Sequence, residues 1–454
     1  MRWGVLLASG LCAGLLIGGA AAAGASLPDR WDADKKENIK WVAELGSETY
    51  GGPVVAGGKV FVGTNNERPR DAKVTGDRGV LMAFDAKDGR FLWQAVHDKL
   101  PVGGESDWPQ QGVCSKPFVE GNRLYYVSNR GELVAADVEG FLDHENDGPF
   151  TGETRHGTAD ADIVWTLDMP KALGVHPHRM TASSPVVVGD LVYTMTSHGV
   201  DEKGKVPSPA APSFLAVNKK TGKVAWQSAL PGDRILDGQW SSPAYGVLGG
   251  KPQVIFAGGD GWVYAFEPAA GSLLWKFDAG TASPPLPRES LVAAPVIAGD
   301  RVLIGVGQDP ERGPGKGRLW AIAPPPAAGG DARPLWSLGG NDFSRTLSTV
   351  VVQDDLAYAA DLRGFLYCLE TATGKVVWSH DLFAQVWGSP LVADGKIYIG
   401  DEDGDLSALR AGRTKQLLHE TNMGNAIYTT PVAADGVLYV ATRARLYAIT
   451  STRP

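Results

Sequence analysis

"GSPLVADGKIY", Gly388 to Tyr398, and "GFLYCLETATGKVVW", Gly364 to Trp378, carry the pattern that decides the fold. In the first, a proline preceded by small residues opens an apolar run. A Gly/Asp turn follows, and an aromatic closes the unit eight residues after Pro390. Alternating apolar residues around such a turn read as two short antiparallel strands. The same unit recurs in "GGPVVAGGKVF" (Pro53, Phe61), "SKPFVEGNRLY" (Pro117, Tyr125), "SSPVVVGDLVY" (Pro185, Tyr193), "AAPVIAGDRVL" (Pro295, Leu303) and "TTPVAADGVLY" (Pro431, Tyr439). Val350 replaces the proline in "STVVVQDDLAY", and "SSPAYGVLGGKPQVI" has a longer turn after Pro243, which makes eight copies.

A second hairpin follows each first one. Its Gly-x-x-x-Trp ending is shared by the copies closing at Trp93, Trp226, Trp275 and Trp378. Trp165 and Trp336 end looser copies, and Leu417 stands near that place in the seventh. Each unit therefore holds four strands. One such sheet cannot bury both faces, whereas radial packing of several does. The last copy supplies three strands only. The fourth stands at the other end of the chain, in "NIKWVAEL" with Trp41. The expectation is an all-β, eight-bladed propeller over residues 38–451, built of four-stranded antiparallel blades and closed by the N-terminal strand joining the C-terminal blade.

The bulk numbers agree. Among 454 residues, 58 glycines and 30 prolines suit many tight turns, and 43% hydrophobic content suits a large core. A net charge of −8 argues against a nucleic-acid partner. Residues 1–25 read as a signal peptide, with Arg2, an apolar run and an Ala23-Gly24-Ala25 cleavage site. An uncleaved anchor is the competing reading. Leu11 makes a poor lipobox before Cys12. The expectation is a linker over 26–37 and a secreted, periplasmic, monomeric protein with no transmembrane segment after cleavage. Cys114 and Cys368 lie in strand-like stretches and read as buried thiols, a disulfide being the alternative.

Three stretches invite a metal. "GDEDGDLSALRAG" places Asp401, Asp403 and Asp405 around Gly404, but it aligns with the stretches around Gly261, Gly364 and Gly131. That makes it a hairpin turn requiring positive φ. "DHENDG", from Asp143, matches half a calcium loop, yet Thr154 stands where the closing glutamate belongs. "HPHR", with His176 and His178, falls near His198 in the repeat geometry without a ligand spacing. No metal ligand is assigned.

Propeller geometry sorts the loops. Those entering each innermost strand (97–112, 169–180, 231–239, 280–290, 340–346) should share a face with the long second-to-third strand loops 65–78, 198–212 and 306–317. Insertions 138–160 and 323–334 should project from the opposite face. Elaboration of one face marks a binding surface. Three residues before each repeat proline, or Val350, stand Tyr50, Cys114, Ala182, Trp240, Val292, Leu347, Trp387 and Tyr428. These should ring the channel mouth. The aromatic Tyr50, Trp240, Trp387 and Tyr428 suit a planar ligand such as a quinone or sugar, or else plug the channel. Gln239 and Gln385 accompany them. Arg345 is a candidate carboxylate clamp, with pairing to Asp342 or another loop acid as the alternative. Asp237 is a candidate base, with a loop-capping role as the alternative.

The Thr-Gly-Lys turn and tryptophan of "LETATGKVVW" resemble the quinoprotein repeat of PQQ-binding-like β-propellers. That repeat is shared by PQQ-dependent alcohol dehydrogenases and by BamB-type propellers of outer-membrane barrel assembly. The resemblance implies an exported, non-catalytic scaffold with an envelope protein partner on the elaborated face. The alternative it implies is a PQQ- and calcium-dependent oxidoreductase, with the mouth residues binding the cofactor. A carbohydrate-binding propeller is a second alternative that the same aromatics suit. The chain departs from the dehydrogenases in having no adjacent cysteines and no haem-attachment motif, so no catalytic residue is assigned.

Overall fold

The computed structural model describes residues 26–101, 106–280, 288–307, 313–326 and 330–451. The signal-peptide reading of 1–25 lies outside them. The described residues form eight four-stranded antiparallel sheets. Blade 1 consists of Val54–Ala56, Lys59–Asn65, Arg78–Asp85 and Phe91–Asp98, paired in that order. Blades 2 to 7 repeat the order over 118–168, 186–228, 244–278, 296–344, 351–381 and 391–422. Blade 8 takes three strands from 432–450 and its outer strand from Ile39–Glu44, with Trp41 opposite Ala448. The ring closes as the repeat count predicts.

The tryptophans fasten blade to blade. Trp41 Nε1 donates to Ala86 O of blade 1 at 3.1 Å, and Trp93 to Val138 O of blade 2 at 3.1 Å. Trp165, Trp226, Trp336 and Trp378 likewise donate to Lys219 O, Pro268 O, Thr371 O and Gly412 O at 2.7–2.9 Å. In five of these six receiving turns a glycine makes room for the ring; the exception is Gly412, where a Cβ would meet nothing within 4 Å. A Cβ on Gly89 would lie 2.6 Å from Trp41, and one on Gly271 2.5 Å from Trp226. Both glycines also hold φ near +70°, at +75° and +68°, where a side chain is strained. Trp275 is different. Blade 5 carries an insertion where its glycine turn would be, and Trp275 donates to Gln253 of its own blade at 2.6 Å.

The core lies between blades. One cluster joins Trp41, Ala43 and Leu446 of blade 8 to Val60, Val80 and Phe84 of blade 1. Within a blade the tryptophan packs on the second-strand aromatic, as in Trp378 on Tyr358 at 6.1 Å and 44°.

Two details differ from the sequence reading. The seventh tryptophan position is held by His419, not Leu417, because a bulge sets His419 opposite Ala408 as Trp378 is opposite Cys368. Residues 26–37 are packed down as well. Trp31 is 1% exposed and lies 6.2 Å from Tyr398 of blade 7. Tyr398 Oη donates to Pro28 O, and Lys396 Nζ to Leu27 O.

Cys114 and Cys368 are buried free thiols, and burial pushes them up to about 12 and about 11. Gly404 holds φ +92° in its hairpin turn, where Asp401 Oδ1 accepts from Gly404 N and Asp405 N at 3.0 and 2.9 Å. That stretch is a braced turn, as the alignment with Gly261, Gly364 and Gly131 predicts. Among the described residues no helix is long and apolar enough to cross a membrane.

Candidate functional site

Side chains alternate along the segments that line the channel. Residues two before each repeat proline are buried in all eight blades, while seven of the eight residues three before it keep partial exposure. The latter set therefore faces the channel, as expected of an extended chain.

Three of the four candidate aromatics meet there. Tyr50 and Tyr428 stack at 5.3 Å with planes 5° apart, and Trp387 lies 4.6 Å from Tyr428 and 6.2 Å from Tyr50. Blades 7, 8 and 1 are consecutive in the ring, so their mouth residues fall side by side. Burial pushes both tyrosine hydroxyls up, and the carboxylates of Glu48 and Glu402 add to it. Both phenols stay neutral at ordinary pH. Trp387 Nε1 is buried and finds no acceptor among the described residues.

Trp240 stands apart. Its ring lies 5.9 Å from His178 and its Nε1 donates to His178 O at 3.1 Å. Gln239 is fully buried and accepts from Gly259 N at 3.3 Å, which makes it a brace of the blade 4 turn. Arg345 does not point to an open clamp. Its Nε and Nη2 grip Glu289 at 3.0 and 2.7 Å, and its Nη1 donates to Gly313 O at 3.1 Å. The acid partner is therefore Glu289 and not Asp342. Asp237 is buried, and its backbone oxygen accepts from Val200 N at 2.8 Å.

The histidines hold loops together. His198 Nδ1 accepts from His176 N at 3.0 Å and its Nε2 lies 3.0 Å from Ser208 O. Burial lowers its proton affinity, which suits a neutral ring. His178 Nδ1 lies 2.8 Å from Val200 O. No group of three metal-ligating side chains occurs among the described residues, and the half calcium loop at Asp143 belongs to none.

The two loop families share a face where they are described. Asp77 Oδ2 accepts from Gln110 N at 2.7 Å, and Gly199 N donates to His176 O at 2.9 Å. Parts of loops 97–112, 280–290, 306–317 and 323–334 lie outside the described residues. Insertion 138–160 departs from expectation. It leaves the opposite face, but Ala159 and Ala161 bond to Gln94 on the outer strand of blade 1. Arg155 then reaches Asp71 at 3.0 Å, back on the elaborated face. A polar cleft of about 290 Å³ results, lined by Lys73, Arg78, His97 and Glu132 among others. His97 bridges Glu132 at 3.1 Å and Tyr126 Oη at 2.9 Å there. The sequence reading missed this cleft because its walls come from loops on different blades.

It also missed Phe383. Phe383 is 85% exposed and holds φ +64° on the loop entering blade 7. Asp381 Oδ1 accepts its N–H at 2.9 Å and fixes that conformation. No repeat position marks the residue, and only an apolar side chain in a short turn hints at it.

Comparison with known proteins follows this geometry closely. A family model described as outer membrane protein assembly factor BamB matches residues 30–107, 103–239, 210–325 and 259–452. The outer membrane protein assembly factor BamB of Yersinia pestis is 25% identical over 337 residues, covering 72% of this chain and 70% of that protein. A polyvinylalcohol dehydrogenase of Sphingopyxis sp. is 23% identical over 410 residues; the match takes in 73% of this chain and spans only 58% of the dehydrogenase. Among solved structures, a europium-containing methanol dehydrogenase superposes with a TM-score of 0.62 at 14% identity, covering 91% of this chain and 93% of that one. A likeness at that identity shows the fold alone.

Proposed function

Because the chain belongs to the family of the outer membrane protein assembly factor BamB, we propose that it is an exported, non-catalytic binding propeller of the cell envelope. Its elaborated face docks a protein partner engaged in outer-membrane assembly. The observation that carries this reading is Phe383. A large apolar side chain left 85% exposed, in a left-handed conformation, on the face where the long loops gather has the character of an interface anchor. A non-glycine residue at positive φ costs about 1 kcal/mol, a cost that a docking role would explain.

Site-specific photo-crosslinking in envelopes tests this. A crosslinker at Phe383 should capture an outer-membrane assembly protein. One at Asp435, on the hairpin of blade 8 between its first two strands, should not. Equal capture from both positions, or none from either, would remove the scaffold reading.

The second reading is a PQQ- and calcium-dependent oxidoreductase. It is favoured by the polyvinylalcohol dehydrogenase relative and by the Tyr50–Trp387–Tyr428 cluster. Titration of the purified protein with PQQ, with and without calcium, decides it. Saturable, calcium-requiring binding that weakens in Trp387→Ala would make the protein a quinoprotein in function. No binding at high micromolar PQQ would leave the repeat a mark of ancestry.

A further inference from the structure

A second ring lies below the aromatic mouth. Residues one before each repeat proline, or Val350, are Gly52, Lys116, Ser184, Ser242, Ala294, Thr349, Ser389 and Thr430. Seven of these eight keep partial exposure while the residues before them are buried, so they face the channel too. Two residues of extended chain set this ring roughly 7 Å below the mouth.

Its hydroxyls form a belt. Lys116 N donates to Ser184 Oγ, Ser184 N to Ser242 Oγ, Ala294 N to Thr349 Oγ1, Thr349 N to Ser389 Oγ and Ser389 N to Thr430 Oγ1, all at 2.9–3.1 Å. Each hydroxyl at this position accepts the N–H of the preceding blade. None of the five gives its own proton to a described residue. Five O–H donors are thus left on the channel wall.

Lys116 stands among them as an ammonium without an anion. Its Cε would lie 3.6 Å from a Cβ at Gly52, so its side chain leans across the space that glycine leaves open. It makes no ion pair or hydrogen bond to a described residue. Two other lysines with little side-chain exposure behave differently: Lys59 pairs with Glu139 at 2.5 Å, and Lys99 pairs with Asp107. Enclosure by the channel wall lowers the proton affinity of Lys116, and no neighbouring acid opposes that. A charge enclosed by the channel wall is costly until it is paired, and three N–H donors beside a row of O–H donors are best satisfied by an acceptor-rich anion.

We propose that the channel at Lys116 is a binding site for a small oxyanion, a carboxylate or phosphate group, held by the ammonium and by belt hydroxyls beginning with Thr430, whose backbone borders the same space over Gly52. The site is independent of the partner taken by the outer face. The group arrives either as a free ion or as the acidic end of a flat molecule whose body lies against Tyr50, Tyr428 and Trp387.

Calorimetric titration of the whole protein with inorganic phosphate, acetate and benzoate, at constant chloride, tests the proposal. Saturable one-site binding of at least one probe is expected. Lys116→Met should weaken it by about tenfold or more, as loss of a charged hydrogen-bond partner does, and Thr430→Val by a few-fold. Lys116→Arg should retain most of it. Benzoate binding tighter than acetate would place the flat body in the aromatic mouth, whereas phosphate binding tightest would assign a free ion. Absence of saturable binding by all three probes up to about 10 mM, a Kd range at the weak end of specific recognition, would overturn the proposal. So would an affinity unchanged in Lys116→Met. Should that variant fail to fold, equal affinities in Thr430→Val, Lys116→Arg and the parent would overturn it as well.

Discussion

In blade 6, Trp378 stands 6.1 Å from Tyr358 at 44°; in blade 7, Trp31 stands 6.2 Å from Tyr398 at 46°. The first tryptophan belongs to the fourth strand of its own blade. The second arrives from ahead of the first strand of the chain, more than 360 residues away in sequence from Tyr398. The difference has a topological cause. A blade tryptophan docks on the turn between the third and fourth strands of the next blade. Blade 8 has no such turn, because its third and fourth strands come from opposite ends of the chain. Blade 7 therefore carries His419 at the tryptophan register, and the segment leading to the closing strand brings Trp31 over it, at 4.7 Å and 88°. His419 Nε2 lies 2.7 Å from Trp31 O. Trp275 obeys the same rule, since the insertion in blade 5 removes its turn and it docks within its own blade.

Trp378→Ala should give the largest loss. It removes a buried indole and its bond to Gly412, and about 4 kcal/mol is expected. Chemical denaturation measures it. If Trp31 performs the same task, Trp31→Ala should cost about 3 kcal/mol, slightly less because its Nε1 is buried without an acceptor among the described residues. Adding His419→Trp to Trp31→Ala should recover part of the loss by restoring an indole over Tyr398. A loss below about 0.5 kcal/mol for Trp31→Ala, within the range of ordinary surface changes, would mean that the segment is only lying on the blade.

The turns of the two blades sharpen the contrast. Asp361 of blade 6 shares its carboxylate among Arg363 at 3.0 Å, Tyr367 Oη at 3.1 Å and Ser344 N at 2.9 Å. The equivalent Asp401 of blade 7 has two backbone donors on one oxygen and, among the described residues, none on the other. Burial pushes its carboxyl up to about 7; the nearby Asp405 and Asp403 add to the rise, and the backbone donors oppose it. A raised folded value means the protonated form is favoured in the native state. That contribution is full below the unfolded carboxylate value of about 3.9 and is lost as pH rises to about 7. Stability should therefore fall by up to about 4 kcal/mol across that window through Asp401. Asp401→Asn should flatten the slope, read from denaturation midpoints at several pH values.

The ring was legible because blade spacing is written in proline, turn glycine and tryptophan, residues whose backbone and packing roles are local. Ring closure was legible from Trp41 for the same reason. The mouth cluster of Tyr50, Trp387 and Tyr428 followed from register alone, since equivalent positions on consecutive blades must be neighbours. Arg345, Gln239 and Trp240 were harder to place. Their partners Glu289, Gly259 and His178 lie on loops that obey no repeat, so spacing said nothing about who meets whom. Trp31 was hidden because it does the work of a repeat position from outside the repeat. Lys116 was hidden because its distinction is the lack of a partner, which only three dimensions reveal.

The smallest effects lie in the hydroxyl belt, and they test whether it joins blades or only decorates the channel. Ser389 takes the N–H of Thr349 from blade 6, while its own N–H goes to Thr430 of blade 8. Ser389→Ala removes the first link alone and leaves the Thr349 N–H facing a methyl group. About 1 kcal/mol is expected, the usual cost of one orphaned partner. The ring also contains its own reverse experiment. At blade 5 the belt position is Ala294, so the N–H of Ser242 meets no hydroxyl there. Ala294→Ser adds the missing acceptor at a partly exposed site of nearly the same volume, and should stabilise by about 0.5 kcal/mol. A belt that couples blades predicts opposite signs for the two substitutions. Two losses of similar size would mean that the hydroxyls serve the channel and its contents, not the seam.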